Sequence, residues 1–275
     1  MPEVDPWEAY FYPETIDAMG QGTLRNKYEL RDSEALRLIE YGMTARRARQ
    51  LRTGEVSVPQ TYDETHVRAL HGHLFQDVYE WAGQFRTVDM AKGPKGFFAN
   101  AENGSRDIPE ALHQMGRSVR AVDWQRADFS QFSQGIAETF AWLNHAHPFR
   151  EGNGRATKEF LHNVAAQSPR FALDFERVPP GVWNRFSDLS QPNPGEWTPH
   201  PEEMHPVFRR LTIDRPGGDR AAGSTGPTRS PLLDASFPSP ATDATRQASA
   251  RRQESMGDRL SRWLHRDRGP EERDR

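Results

Sequence analysis

His147-Pro148-Phe149-Arg150-Glu151-Gly152-Asn153-Gly154-Arg155-Ala156-Thr157-Lys158 joins two apolar runs of helical period. Before it, Phe129, Phe132, Ile136, Phe140 and Leu143 recur three or four residues apart after Asp128; behind it, Phe160, Leu161 and Val164 resume the pattern. Pro148 disfavours helix at the residue preceding it, and Gly152 and Gly154 permit backbone angles and close approaches that side chains forbid. The second helix therefore opens with unpaired N–H groups, the positive end of its dipole and Arg155, all available to an anion. A phosphate cradle is expected here.

Beside the cradle stand an imidazole, a carboxylate and an amide that suit transfer from a nucleoside triphosphate. Histidine titrates near neutral pH, so His147 fits a base that takes a proton from a protein hydroxyl. Mg²⁺ usually takes one or two carboxylates plus phosphate oxygens and water, so Glu151 fits its protein ligand. Asn153 and the backbone amides fit the reacting phosphate, and Arg155 the leaving one. Taken singly, each residue has a bland reading: a capping or core histidine, a Gly-Asn-Gly turn, a solvated arginine in a first turn. The conjunction outweighs them, since an ordinary loop needs no base, carboxylate, amide, arginine and two glycines within nine residues.

Working outward, Leu36, Ile39 and Met43 follow Asp32-Ser33 as one stripe, and Val67, Leu70, Leu74, Val78 and Trp81 form another after a capping box at Thr61 to Glu64. Ile108, Leu112, Met115 and Val119 form a third stripe after Asn103 to Ser105. Phe85 to Met90 alternates instead, Lys92 to Gly96 is turn chemistry and Phe97-Phe98 is apolar, which reads as a lone β-hairpin; an ordinary connecting loop is the alternative. The expectation is an N-terminal helical part at 1–60, a core with hairpin and loop at 61–178, and a C-terminal helical cap at 179–213 bearing Trp183, Phe186, Met204, Phe208 and Leu211. The remainder, 214–275, reads as a disordered linker with a short amphipathic helix around Met256, Leu260, Trp263 and Leu264.

Composition narrows the field. The 275 residues carry a formal net charge of -3, so no global field holds the chain on nucleic acid, and direct nucleic-acid binding is not expected. No run approaches the roughly 18 apolar residues of a membrane span, and the start lacks signal-peptide character, so a cytoplasmic location is expected. Cysteine is absent, which leaves the chemistry to histidine, carboxylates, hydroxyls and backbone. Lysine is rare, at Lys27, Lys92, Lys95 and Lys158.

The loop resembles the signature of the Fic family, His-x-Phe-x-(Asp/Glu)-Gly-Asn-Gly-Arg-x-x-Arg, at every fixed position but the last, where Lys158 stands. Leu74 to Arg86 also resembles the helix that precedes the active-site flap in that family. The resemblance, which covers roughly residues 5 to 213, implies an all-α fold: a Fic-type helical bundle with one β-hairpin flap over the active site. It implies transfer of AMP from Mg-ATP to a Ser, Thr or Tyr hydroxyl of another protein. His147 then takes the base position, Glu151 the metal position, and Gly152, Asn153, Gly154, Arg155 and Lys158 the ATP and phosphate positions. The flap, Phe85 to Ala99, would dock an extended target segment through Phe85, Arg86, Thr87, Val88, Lys92, Lys95, Phe97 and Phe98. Lysine in place of the second arginine keeps the charge but loses the planar fork.

Many members are held off by a helix with Ser/Thr-x-x-x-Glu-Gly/Asn. Here only Thr198 has a glutamate four residues on, Glu202, followed by Glu203 and set between prolines. The resemblance therefore implies a small separate antitoxin supplying the inhibitory glutamate in trans, a toxin role, and a type II topoisomerase subunit as target class. The alternatives are a Doc-like protein kinase, whose signature carries lysine where this chain has Gly154, and a catalytically silent interaction module or translocated effector.

Overall fold

A computed structural model describes residues 5–92, 96–102 and 104–215. The expected linker and amphipathic helix from 216 onward, and Lys95 in the hairpin turn, lie outside the described residues, as do the side chains of Lys92 and Phe97.

Among the described residues, seven α-helices carry the fold. α1 (Ser33–Arg52) is capped by the Asp32 carboxylate, which accepts from the Ala35 N–H, and α2 (Glu64–Phe75) by Asp63, which accepts from Thr65 and His66. α3 (Asp107–Arg120) leads to α4 (Phe129–Ala146), which opens on a complete capping box between Asp128 and Gln131. α5 (Asn153–Ala165), α6 (Pro180–Leu189) and α7 (His205–Leu211) complete the set. α4 is buried on nearly every side because it packs against α3, α5 and α7 at once, and α2 lies between α1 and α5. Phe132, Ile136, Phe140, Phe160 and Phe208 close the core between them, each 3% exposed or less.

Two strand pairs accompany the helices among the described residues. β1 (Ala91–Lys92) and β2 (Gly96–Phe97) make the flap hairpin, with Ala91 opposite Phe97 and Lys92 opposite Gly96. β3 (Phe171–Leu173) and β4 (Thr212–Asp214) pair antiparallel and tie the end of α5 to the end of α7. Three residues per strand are too few to display a period, so the sequence carried no sign of this second pair.

Three expectations need correction. The capping box at Thr61 does not form, because Tyr62 turns left-handed at φ 55° and leaves Asp63 as the cap, with the Thr61 hydroxyl donating to it. The stripe from Val67 to Trp81 is not one helix: α2 stops at Phe75, and turns at 76–83 let the Tyr79 and Trp81 rings stack at 4.2 Å, which residues two apart on a helix cannot do. Nor is 5–31 helical in the α sense. It is a strap with single 3-10 turns at Glu8–Tyr10 and Pro13–Thr15, folded around Asn26, whose side-chain amide donates to the Leu24 and Leu30 carbonyls and accepts from the Tyr28 and Leu30 N–H groups.

The core also holds three histidines. His66 and His71 are fully buried and His145 is 4% exposed. Burial lowers their pKa from the ordinary 6.5 to about 4, about 3 and about 4 respectively. The unfolded chain therefore takes up these protons first, and the stability they contribute is complete above about pH 6.5 and is lost as pH falls. Each contributes a slope of about 1.4 kcal/mol per pH unit within that window. The urea midpoint is expected to drop clearly between pH 7 and pH 5; an unchanged midpoint would mean that these imidazoles are not buried neutral.

Candidate active site

The turn between α4 and α5 is built from backbone groups that are met one by one. His147 ends α4 in the left-handed region, φ 37° and ψ 58°, its N–H still donating to the Leu143 carbonyl. The Arg86 Nε donates to the His147 carbonyl at 2.8 Å, and the Arg86 backbone N–H to the Pro148 carbonyl at 2.9 Å. The Asn153 side chain closes the turn on Phe149, accepting from its N–H at 2.9 Å and donating to its carbonyl at 2.7 Å. The Glu151 carbonyl meets His71 Nε2 at 3.0 Å, while His71 Nδ1 accepts from the Gly83 N–H at 2.9 Å, so the proton sits on Nε2 and donates to Glu151. That neutral ring lies between Phe149, 3.7 Å away, and Phe75, 4.5 Å away.

Gly152 completes the turn at φ 81°, and a Cβ there would meet the Phe75 ring at 2.2 Å. Both the backbone angle and the contact exclude other residues. Beyond it, the N–H groups of Asn153, Gly154 and Arg155 open α5, and no side chain caps them. Glu151 stands at the same end with a side chain 40% exposed: its Oε1 accepts from the Gly152 N–H at 2.8 Å, whereas Oε2 carries no bond among the described residues. The His147 ring, half-buried, stacks on Phe98 at 3.8 Å and 11°.

The cations of the loop go in different directions. Arg155 turns under the site toward α1, where it pairs with Glu40 and reaches Glu151 at 3.4 Å. Burial alone would lower its pKa, but the Glu40 and Glu151 carboxylates outweigh that and raise it. Lys158, expected to share its face, lays its ammonium 5.5 Å from the Phe175 ring centre. Arg150 is buried in a cage of strap aromatics, 4.1 Å over Trp7 and 5.0 Å over Phe11.

The expected docking flap is corrected by burial. Arg86 and Val88 are 3% and 1% exposed, and the Arg86 guanidinium donates to the Val88, Ala99, Ala146 and His147 carbonyls, so neither side chain is presented to a target. Phe98 faces inward onto His147, and Phe85 packs on Phe149 at 5.9 Å. Thr87 remains exposed, with its hydroxyl 3.4 Å from that of Tyr10. Asn153, expected at a phosphate, commits its amide to the turn instead. Sequence reading missed His71, although its place four residues after Val67 puts it on the core side of α2; it missed Glu40 because nothing local marks a glutamate on an amphipathic helix as buried.

The Fic/DOC family model matches residues 61–165. Protein adenylyltransferase VbhT of Bartonella schoenbuchensis is 32% identical over 171 residues, covering 62% of this chain and only a third, 33%, of VbhT. A Sinorhizobium fredii protein named "Probable protein adenylyltransferase y4lH" is 34% identical, covering 62% of this chain and 82% of that one. Among solved structures, BepC of Bartonella tribocorum, a VirB-translocated effector with bound AMPPNP, superposes with a TM-score of 0.61 at 25% identity over 76% of this chain and 98% of its own. The N-terminal Fic domain of a Bep effector from Bartonella sp. AR 15-3 gives 0.61 at 25% identity, covering 74% and 91%.

Gly152 generates a sharp test. Gly152→Ala is expected to cost roughly 2 to 4 kcal/mol, from the left-handed angle and the collision with Phe75 together. Phe75→Leu in the same chain should recover part of the loss, leaving the angle term. Urea unfolding of both variants measures this, and a fully stable Gly152→Ala protein would show that the turn is not held as described.

Proposed function

The chain belongs to the Fic/DOC family, and from that premise we propose that it is a protein adenylyltransferase, moving AMP from ATP to a hydroxyl of another protein. The carrying observation is the convergence, at one turn, of the His147 imidazole, the open N–H groups of α5 and a half-exposed carboxylate. His147 takes the proton as the hydroxyl oxygen bonds to the α-phosphorus. The bond from that phosphorus to the bridging oxygen breaks, and pyrophosphate leaves with the electron pair. The left-handed backbone at His147 and its ring stacked on Phe98 fix where the imidazole stands, so little reorganisation is needed at the moment of transfer. The N–H groups of Asn153, Gly154 and Arg155 and the helix dipole favour the negative charge of the phosphates.

Glu151 suits Mg²⁺. Its Oε2 is open, and among the described residues no group of three or more His, Cys, Asp or Glu could cage an ion. One carboxylate with phosphate oxygens and water is the usual Mg²⁺ arrangement, and the ion would offset phosphate charge. Lys158 would add a point charge beyond Arg155, and the hairpin of β1 and β2 would pair with an extended target strand. No helix among the described residues is long and apolar enough to cross a membrane. As a toxin of this family the chain would be restrained by a separate antitoxin, with a type II topoisomerase subunit as target class; in this sequence Thr198 alone has a glutamate four residues on.

Incubation of the protein and lysate with ATP labelled at the α or the γ phosphate tests the reading. Label on protein is expected from the α position alone; transfer from the γ position alone would instead make the chain a kinase. His147→Ala should lower the transfer rate about 10²- to 10⁴-fold, with its unfolding midpoint close to that of the unaltered chain. Equal rates would remove His147 from the mechanism.

A further inference from the structure

Arg155 meets two carboxylates, and they do not compete equally. Glu40, in the middle of α1, is 6% exposed and pairs with Arg155 Nη2 in a contact much closer than the 3.4 Å that separates the same nitrogen from Glu151 Oε1. The other Glu40 oxygen accepts from the Tyr79 hydroxyl, which lies in the turn after α2. Thr44, one turn along α1, donates its hydroxyl to the Glu40 carbonyl at 2.8 Å, and Thr44 Oγ1 accepts from Arg155 Nη1 at 3.3 Å. The Tyr41 and Phe75 rings lie 4.8 and 4.7 Å from the guanidinium carbon. The Arg155 head group is thus held by α1 and the end of α2, with Glu151 on its remaining side.

We propose that Glu40 is a positioning residue of the loop: by holding the Arg155 guanidinium it keeps that charge from closing on Glu151, whose free oxygen stays available to a divalent cation. This rests on the adenylyltransferase reading and extends it to α1, which lies outside the 61–165 stretch that the family model matches. An arginine fork pairs with a carboxylate through two parallel bonds whenever geometry allows. Glu151 Oε1 already lies 3.4 Å from Arg155 Nη2 across the start of α5, so without Glu40 the fork is free to take both Glu151 oxygens. The buried carboxylate wins the contest because Tyr79 fixes its far side and water does not screen the pair. Burial raises the pKa of Glu40 and the Arg155 charge opposes that rise. Loss of the guanidinium therefore disfavours the carboxylate, and the two act as a unit.

The test measures binding rather than turnover. Calorimetric titration with AMPPNP at graded Mg²⁺ gives nucleotide affinity and its magnesium dependence for the unaltered chain, Glu40→Gln, Tyr79→Phe, Arg155→Met and Glu40→Gln with Arg155→Met. Glu40→Gln is expected to need roughly tenfold more Mg²⁺ for half-maximal affinity, the scale of one charge-assisted bond. In the Arg155→Met background the same change is expected to shift it less than about twofold, since additivity fails for residues acting through one another. An unchanged magnesium requirement in Glu40→Gln, or an equal shift in both backgrounds, overturns the proposal. If Glu40→Gln does not fold, Tyr79→Phe decides: it keeps the ion pair but frees its far side, and a requirement identical to that of the unaltered chain overturns the proposal as well. Failure of the unaltered chain to bind AMPPNP at any Mg²⁺ would instead refute the adenylyltransferase reading from which the inference starts.

Discussion

A turn of six residues, 147–152, runs between two core helices with its backbone groups turned away from water, and meeting those groups is the constraint on which the site is built. A buried carbonyl or N–H without a partner costs on the order of 1 to 3 kcal/mol. The turn meets its own from three directions: Arg86 covers the His147 and Pro148 carbonyls, Asn153 both peptide groups of Phe149, and His71 the Glu151 carbonyl. Each partner comes from a different part of the chain. The flap's approach segment, α5 and α2 are consequently locked to the same few atoms, and the imidazole at position 147 inherits its place from all of them.

Arg86 and Arg150, both buried, and the half-buried Arg155 show how one side-chain type does different work according to what surrounds it. Among the described residues Arg86 has no carboxylate within bonding distance; it gathers carbonyl oxygens, and burial lowers its pKa to about 10, still leaving it charged at neutral pH. Arg150 is held by the faces of Trp7, Tyr10 and Phe11, which attaches the N-terminal strap to the turn. Arg155 lies among carboxylates, a hydroxyl and two rings. The planar guanidinium stays charged even where burial disfavours the charge, as at Arg86 and Arg150, where an ammonium would be pushed to lose its proton.

Phe75 has a comparable place on the apolar side. Its ring faces Arg155, stacks with His71 and Tyr79, and occupies the space that any Cβ at position 152 would need. One aromatic side chain at the end of α2 therefore sets both the glycine requirement of the turn and the floor beneath the buried ion pair.

The all-α character was readable directly, because α1, α3, α4 and α5 each repeat apolar residues at helical spacing behind a cap or turn, and those signals are local. The turn at 147–152 was equally readable, since Pro148 restricts and Gly152 frees the backbone wherever such residues occur. The sequence likewise showed which side chains at this loop had chemistry to offer. Tertiary structure alone decided where they point. That Arg86 and Val88 are covered, that Asn153 is committed to Phe149, and that Arg155 and Lys158 diverge follow from contacts with α1, α2, the strap and Phe175. Glu40 is the sharpest case: a glutamate on an amphipathic helix normally faces water, and only the arrival of Arg155, 115 residues later, makes burial its better state. Periodicity and turn chemistry are properties of neighbours along the chain, whereas the pairing of buried charges depends on which segments the core brings together.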